Sequence, residues 1–177
     1  MRKLTLFIAC SLDGYIAKYN DDLSFLKLVE KEGEDYGYAA FVEQVDTLLL
    51  GRKTYDYVVN AIGAEHYDNG ERAIYVITRQ NKAAVGRTTF YNGNLKALIE
   101  EIRSKEGKNI YCDGGAELIH ALLQEDLIDE ITVSIIPILL GDGIRLFKDG
   151  RPEQLLEFIS AKTFDTGLVQ LHYRRKR

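Results

Sequence analysis

The chain has 177 residues, 46% of them hydrophobic and 28% charged, with a formal net charge of −4. That size and balance suit one domain, spanning residues 1–177, that buries its own core without disulfides or a structural metal, and they exclude a disordered or fibrous chain. The acidity excludes a phosphate-backbone footprint, because the one basic run, Arg174-Arg175-Lys176-Arg177, has no interleaved aromatic residues to stack bases and reads as a solvated C-terminal tail.

Leu4 to Cys10 is an apolar run of strand length, ended by the turn residues Ser11-Leu12-Asp13-Gly14. It is too short and too soon broken for a membrane span or a signal peptide, so a cytoplasmic protein is expected. From Asp22, a plausible N-cap, the spacing of Leu23, Leu26, Ala39, Ala40 and Val42 predicts one or two helices, interrupted near Gly33 and Gly37. Val45 to Leu50 is a strand that stops at Gly51 and passes directly into a helix reaching about Asn60. Ala73 to Thr78 is a buried strand, and Thr88 to Tyr91 a shorter one before Asn92-Gly93.

Leu95, Leu98, Ile99 and Ile102 fall on one helical face, with Asn94 as cap. Asn109 to Cys112 is a strand leading into Asp113-Gly114-Gly115-Ala116, after which Leu118, Ile119, Leu122 and Leu123 make a second apolar helical face. Ile131 to Leu140 is a long β-branched run in which Pro137 marks an edge or a break, followed by the turn Gly141-Asp142-Gly143. Leu156 to Phe164 and Leu168 to Tyr173 flank Asp165-Thr166-Gly167 and close the chain as a β-hairpin. Strands alternating with helices require a parallel sheet, to which the hairpin adds an antiparallel edge. The two cysteines, Cys10 and Cys112, lie in strand runs without metal-ligand companions, so they read as buried thiols and no metal is implied.

In a parallel sheet, ligands gather beyond the carboxyl ends of the strands, where helix N-termini present unpaired N–H groups and a partial positive charge. Two junctions fit. At Gly51-Arg52-Lys53-Thr54 a glycine allows close backbone approach, while a hydroxyl, free amides and two cations suit phosphate oxygens. At Asp113-Gly114-Gly115-Ala116 the paired glycines let a pyrophosphate lie against the next helix start. Neither junction has the Rossmann or P-loop spacing. His66 in a polar loop, His120 on a helix and His172 on the polar side of a strand have no neighbours that suggest a triad.

Four segments occur in order: Ser11-Leu12-Asp13-Gly14-Tyr15-Ile16-Ala17; Leu50-Gly51-Arg52-Lys53-Thr54-Tyr55; Gly114-Gly115 opening a helix; and Pro137-Ile138-Leu139-Leu140-Gly141-Asp142-Gly143 followed by Leu146-Phe147. In these the chain resembles stand-alone members of the riboflavin-pathway deaminase-reductase C-terminal domain family, from about Leu4 to Tyr173. The resemblance implies an α/β, dihydrofolate reductase-like fold: a mixed, mainly parallel eight-stranded sheet flanked by helices, with a C-terminal antiparallel hairpin. It implies an NADPH-dependent reductase that transfers hydride to a small heterocyclic, carbonyl or imine-type substrate. By the same resemblance, Gly51, Arg52, Lys53 and Thr54 would hold the adenosine side and phosphates. Gly114, Gly115, Ala116 and Glu117 would underlie the pyrophosphate, and Thr78 and Arg79 would meet the 2′-phosphate. Ala9, Ile16 and Ala17 would lie near the nicotinamide, under a loop from Asp13 to Ala17.

Arg52 and Arg79 favour NADPH over NADH, since a phosphate dianion needs cationic donors. Hydride transfer also needs a proton, for which Asp13 and Asp113 are the candidate catalytic residues; a capping role is the alternative for Asp113. Two departures narrow the activity. The segment Asn20-Asp21-Asp22-Leu23 lacks the Trp/Pro context of the folate-binding acid, and the zinc signature of the deaminase half is absent. Dihydrofolate reduction and a non-catalytic nucleotide-binding protein remain the alternatives. The expected partners are a small-molecule substrate and a second copy, a homodimer paired through the strand around Ile131 to Leu140 or through the terminal hairpin, with no nucleic acid and no membrane.

Overall fold

The structure, a computed structural model, describes residues 1–68, 70 and 72–177, with the side chains of His66 and Asp68 outside the described set. In chain order the strands are β1 (Leu4–Ser11), β2 (Tyr15–Ala17), β3 (Val45–Gly51), β4 (Ala73–Ile77), β5 (Thr88–Tyr91), β6 (Asn109–Gly114), β7 (Glu130–Ile136), β8 (Ile144–Arg145), β9 (Leu156–Thr163) and β10 (Val169–Arg175). The α-helices are α1 (Tyr38–Val42), α2 (Arg52–Ile62), α3 (Glu65–Asp68), α4 (Leu95–Ser104) and α5 (Ala116–Gln124). Eight strands form one sheet in the order β5-β4-β3-β6-β1-β7-β10-β9, and β2 pairs with β8 apart from it. From β5 to β7 every pairing is parallel, whereas β10 runs antiparallel to both β7 and β9. The mixed sheet with its terminal hairpin is the one the sequence predicts.

Alternation along each strand separates two cores. Leu4, Leu6, Leu49, Ile110 and Cys112 point to the face covered by α4 and α5, where Ile99, Ile119 and Leu122 are fully buried. Each such side chain contributes about 1.5–3 kcal/mol by leaving water. Leu50, Ile74 and Val76 point the other way, onto Tyr55 of α2, Tyr67 and Phe90. Phe25, Val29, Ile136 and Leu168 extend that second face beyond β7. Asn94 caps α4 as predicted, its side chain accepting from the Ala97 amide at 2.8 Å.

Four expectations are corrected. Between Asp22 and Val42 the chain makes a 3₁₀ helix at Ser24–Val29 and only the five-residue α1, in place of one or two full helices. Asp22 and Asp35 spend their carboxylates on nearby amides, Ser24 at 2.7 Å and Gly37 and Ala39 at 2.8 Å, which favours local turns over a continuing helix. The run Ile131 to Leu140 is a strand only to Ile136, and β7 lies inside the sheet between β1 and β10, so it is not a pairing edge. His66 falls within α3, not in a loop. The basic C-terminus is not a free tail: Arg175 lies in β10 and pairs with Asp126 at 2.7 Å, and Arg177 pairs with Asp129 at 2.7 Å.

Candidate active site at the carboxyl ends of the strands

The parallel register sets the ends of three strands in one row. Leu50 lies opposite Gly114 on one side and Val76 on the other, and Gly51 lies opposite Ile77. The loops that leave the sheet at Arg52, Thr78 and Gly115 are therefore neighbours. A Cβ on Gly51 would stand 3.6 Å from both the Gly114 carbonyl oxygen and the Gly115 nitrogen, and one on Gly115 would stand 3.2 Å from Thr54 Oγ1. The starts of α2 and α5 thus adjoin, with a hydroxyl between them. The Gly114–Gly115 peptide is cis, and Gly114 has φ +105°, a backbone that side chains rarely tolerate.

Charge follows the row. Arg52 Nε donates to both carboxylate oxygens of Asp56 at 2.7 Å, and its guanidinium lies 5.6 Å from the centre of the Phe90 ring. Lys53 and Arg79 have no ion pair among the described residues. The Thr78 amide donates to the Tyr91 carbonyl at 2.9 Å, and its hydroxyl accepts from the Gln80 amide at 3.1 Å. Glu117, in the first turn of α5, is held below the usual carboxylate range mainly by its hydrogen bond from Lys148, with a smaller contribution from the charge of Arg79.

Residues 2–170 match the family described as the RibD C-terminal domain. The chain belongs to that family. It is 39% identical over 175 residues to YwjB, an uncharacterised protein of Bacillus subtilis (strain 168), with 98% of each chain covered. It superposes with a TM-score of 0.88 on a crystal structure from Shewanella sp. PV-4, a protein provisionally named for riboflavin biosynthesis, at 32% identity and 99% coverage of both chains. The fold recurs at a TM-score of 0.73 and 13% identity in the Thermotoga maritima diaminohydroxyphosphoribosylaminopyrimidine deaminase / 5-amino-6-(5-phosphoribosylamino)uracil reductase, where this chain is covered to 99% and that one to 57%. A RibD C-terminal domain is related to the reductase of the riboflavin pathway, and the dihydrofolate reductase-like fold expected from the sequence is the fold observed.

In this RibD C-terminal domain the two candidate acids have different surroundings. Asp13 accepts from the Ser11 hydroxyl at 2.6 Å and from the Leu140 and Gly141 amides at 3.1 and 2.7 Å. The Ser11 hydrogen bond leads in lowering its pKa to about 2, and the two amides add to it. Its carboxylate is a clamp between the loop after β1 and the loop after β7. Asp113 lies just before the glycine pair and accepts a 2.7 Å hydrogen bond from the Tyr111 hydroxyl. Burial, followed by the charge of Asp113, raises the Tyr111 pKa well above that of an ordinary phenol, so Tyr111 keeps its proton.

Beside this pair, on the face away from α4 and α5, a cleft of about 620 Å³ opens between the sheet and the segment 26–36. Ala9 lines it; Ile16 packs instead on the α4/α5 core, and Ala17 is buried with its carbonyl against Gly143. Of the three residues expected around a nicotinamide, the structure brings only Ala9 to this cleft. Tyr111, Tyr36 and Ser134 supply its polar wall, and none of them is among the residues expected from the sequence to carry the site. Only Ser134, a hydroxyl inside a β-branched strand, carried a signal that periodicity could have caught. Tyr55, close to the first junction, is buried and stacks on Tyr67 at 5.4 Å, so it belongs to the core. Among the described residues no group of three or more His, Cys, Asp or Glu is arranged to hold a metal, and no helix is long and apolar enough to cross a membrane.

Proposed function

We propose that the protein is an NADPH-dependent reductase that delivers hydride to a small heterocyclic, carbonyl or imine-type acceptor in the cleft beside Asp113. The observation that carries this reading is the contact of the two helix starts, Thr54 Oγ1 lying 3.2 Å from where a Gly115 side chain would begin. A dinucleotide needs adjacent, glycine-lined amides for its pyrophosphate, and any side chain at Gly115 would fill that space. The residues present fit the group.

Gly51, Lys53 and Thr54 would hold phosphate oxygens from one side and the amides of Gly115, Ala116 and Glu117 from the other. Thr78, Arg79 and the guanidinium nitrogens of Arg52 left over by Asp56 would meet a 2′-phosphate. When bound, the nicotinamide supplies the hydride. The chain's own part is to bind, orient and protonate. Tyr111 holds the Asp113 carboxyl in place beside the cleft, and Asp113 organises delivery of the proton that hydride transfer requires. Asp13, ionised and bound to three donors, is a positioning residue that fixes the loop from Ser11 to Ala17.

The edge strand β9 leaves Leu156, Phe158 and Ile159 exposed, which supports a homodimer formed through the terminal hairpin; a solution mass of twice the chain is expected. Thermal melting with each dinucleotide tests the reductase reading. NADPH at a hundredfold excess over its dissociation constant should add about 2.7 kcal/mol of stability, NADH at the same concentration clearly less. If neither moves the melting temperature, the reading fails.

A further inference from the structure

The cleft carries a charge bias that restricts its occupant. Its floor is apolar and aromatic, with Phe7, Ala9, Ile136 and Tyr111, surfaces against which a flat ring can lie. Phe7 stacks on Phe41 at 4.6 Å and Phe41 meets the edge of Tyr111 at 4.9 Å, so this wall is rigid. Ser134, only 4% exposed, accepts from Gln170 Nε2 at 3.0 Å, which leaves its hydroxyl proton to be donated. The rim is different. Glu30, Glu32, Glu34 and Asp35 line it, against the single cation Lys31, whose ammonium already meets Asp165 at 3.1 Å. Hydrogen bonds from the Ala39 and Gly37 amides hold Asp35 below the usual carboxylate range, so it stays charged at neutral pH.

We propose that the acceptor bound in this cleft is a flat nitrogen heterocycle, neutral or protonated, that carries no phosphate. The inference rests on the reductase reading for the identity of the pocket and deepens it by naming the substrate class. A phosphate dianion is recognised by Arg or Lys forks or by helix N-termini, and like charges facing it oppose binding. The rim offers a phosphate four carboxylates and one committed ammonium. The cations of the strand-end row, Arg52, Lys53 and Arg79, lie at the ends of β3 and β4, beyond β6, and do not line the cleft. The Thermotoga maritima reductase is named for a phosphoribosyl compound; this chain shares the fold, and the rim of its own cleft is acidic.

The test uses the full chain saturated with NADPH and two matched pairs: 5-amino-6-(5-phosphoribosylamino)uracil with its dephosphorylated form, and cytidine with cytidine 5′-monophosphate. Binding is read from NMR shifts at Ala9, Tyr111 and Ser134, which requires no turnover. Within each pair the phosphate-free member should bind at least tenfold more tightly, and the double substitution Glu30→Lys with Glu32→Lys, at two exposed positions, should narrow the gap. Equal or tighter binding of the phosphorylated members overturns the proposal, as does the absence of any shift at the cleft with every compound. Shifts at Gly51, Thr54 and Gly115 on adding NADPH report separately on the cofactor. Their absence would sink the reductase reading while still leaving the preference of the cleft measured.

Discussion

The two ends of the parallel strands are built on opposite principles. At the amino ends, charges are consumed internally. Arg2 pairs with Asp46 and also donates to Thr47. Asp129, 7% exposed, accepts from Arg103 at 2.5 Å, Arg177 at 2.7 Å and the Leu4 amide at 2.8 Å, while Asp126 takes Arg175. Burial alone would raise the Asp126 pKa, but the Arg175 and Arg177 guanidiniums outweigh it and hold the carboxyl low. At the carboxyl ends, Lys53 and Arg79 have no ion pair among the described residues, the glycines leave backbone open, and Arg52 is only half occupied by Asp56. One end closes the fold and the other is left able to bind.

The contrast can be broken from either side. The largest effect should come from Asp129→Ala, which strands the nearly buried Arg103 guanidinium without its carboxylate. Such losses cost about 3–5 kcal/mol, enough to lower the melting temperature by about 6 °C or more. Calorimetry should show that drop, and titration of the protein that remains folded should show NADPH affinity unchanged. Next, Gly114→Ala forces a side chain onto a φ of +105° and should cost about 1–3 kcal/mol, this time together with dinucleotide binding. A variant that loses stability but binds NADPH normally would contradict the account of the carboxyl end. Arg79→Ala should leave the melting temperature nearly untouched and cut the preference for NADPH over NADH by about tenfold, the value of one charge-assisted hydrogen bond of about 1.5 kcal/mol. Competition binding with both dinucleotides measures it.

Smaller effects concern titration. The folded Asp13 pKa of about 2 lies below the unfolded value of about 3.9, so the clamp is complete above roughly pH 4 and is lost as pH falls through 2. Protection of the amides in residues 11–17, taken relative to intrinsic exchange at each pH, should therefore hold from neutrality to about pH 4 and weaken below it. Asp13→Asn should remove that pH dependence. Cys10 and Cys112, pushed up by burial to about 11 and about 12, should resist alkylation in the folded protein at neutral pH and react once it is unfolded.

Much of the carboxyl end was legible in the sequence because its determinants are local: a strand that stops at glycine, followed at once by a helix. Gly51-Arg52 and Gly114-Gly115 could be located from neighbours within a few residues, and only their adjacency needed the sheet order. The amino end was not legible. The pairing of Arg177 with Asp129 spans 48 positions and depends on β10 lying beside β7, so a basic terminus looked like a tail. The anchoring of Asp13 is hidden for the same reason, since the amides that hold it come from Leu140 and Gly141. The segment after Asp22 misled because its apolar spacing fits a helix while its own Asp side chains favour turns. The cleft was invisible because its lining comes from four places far apart in the chain, β1, the segment 26–36, β6 and β7, and only the sheet order brings them together.

A crystal structure of the NADPH complex tests the central claim most directly. The account predicts the pyrophosphate between the amides that open α2 and those that open α5, with the 2′-phosphate at Arg79 and the nicotinamide toward Ala9. A dinucleotide seated elsewhere, or touching only one of the two helix starts, would contradict it.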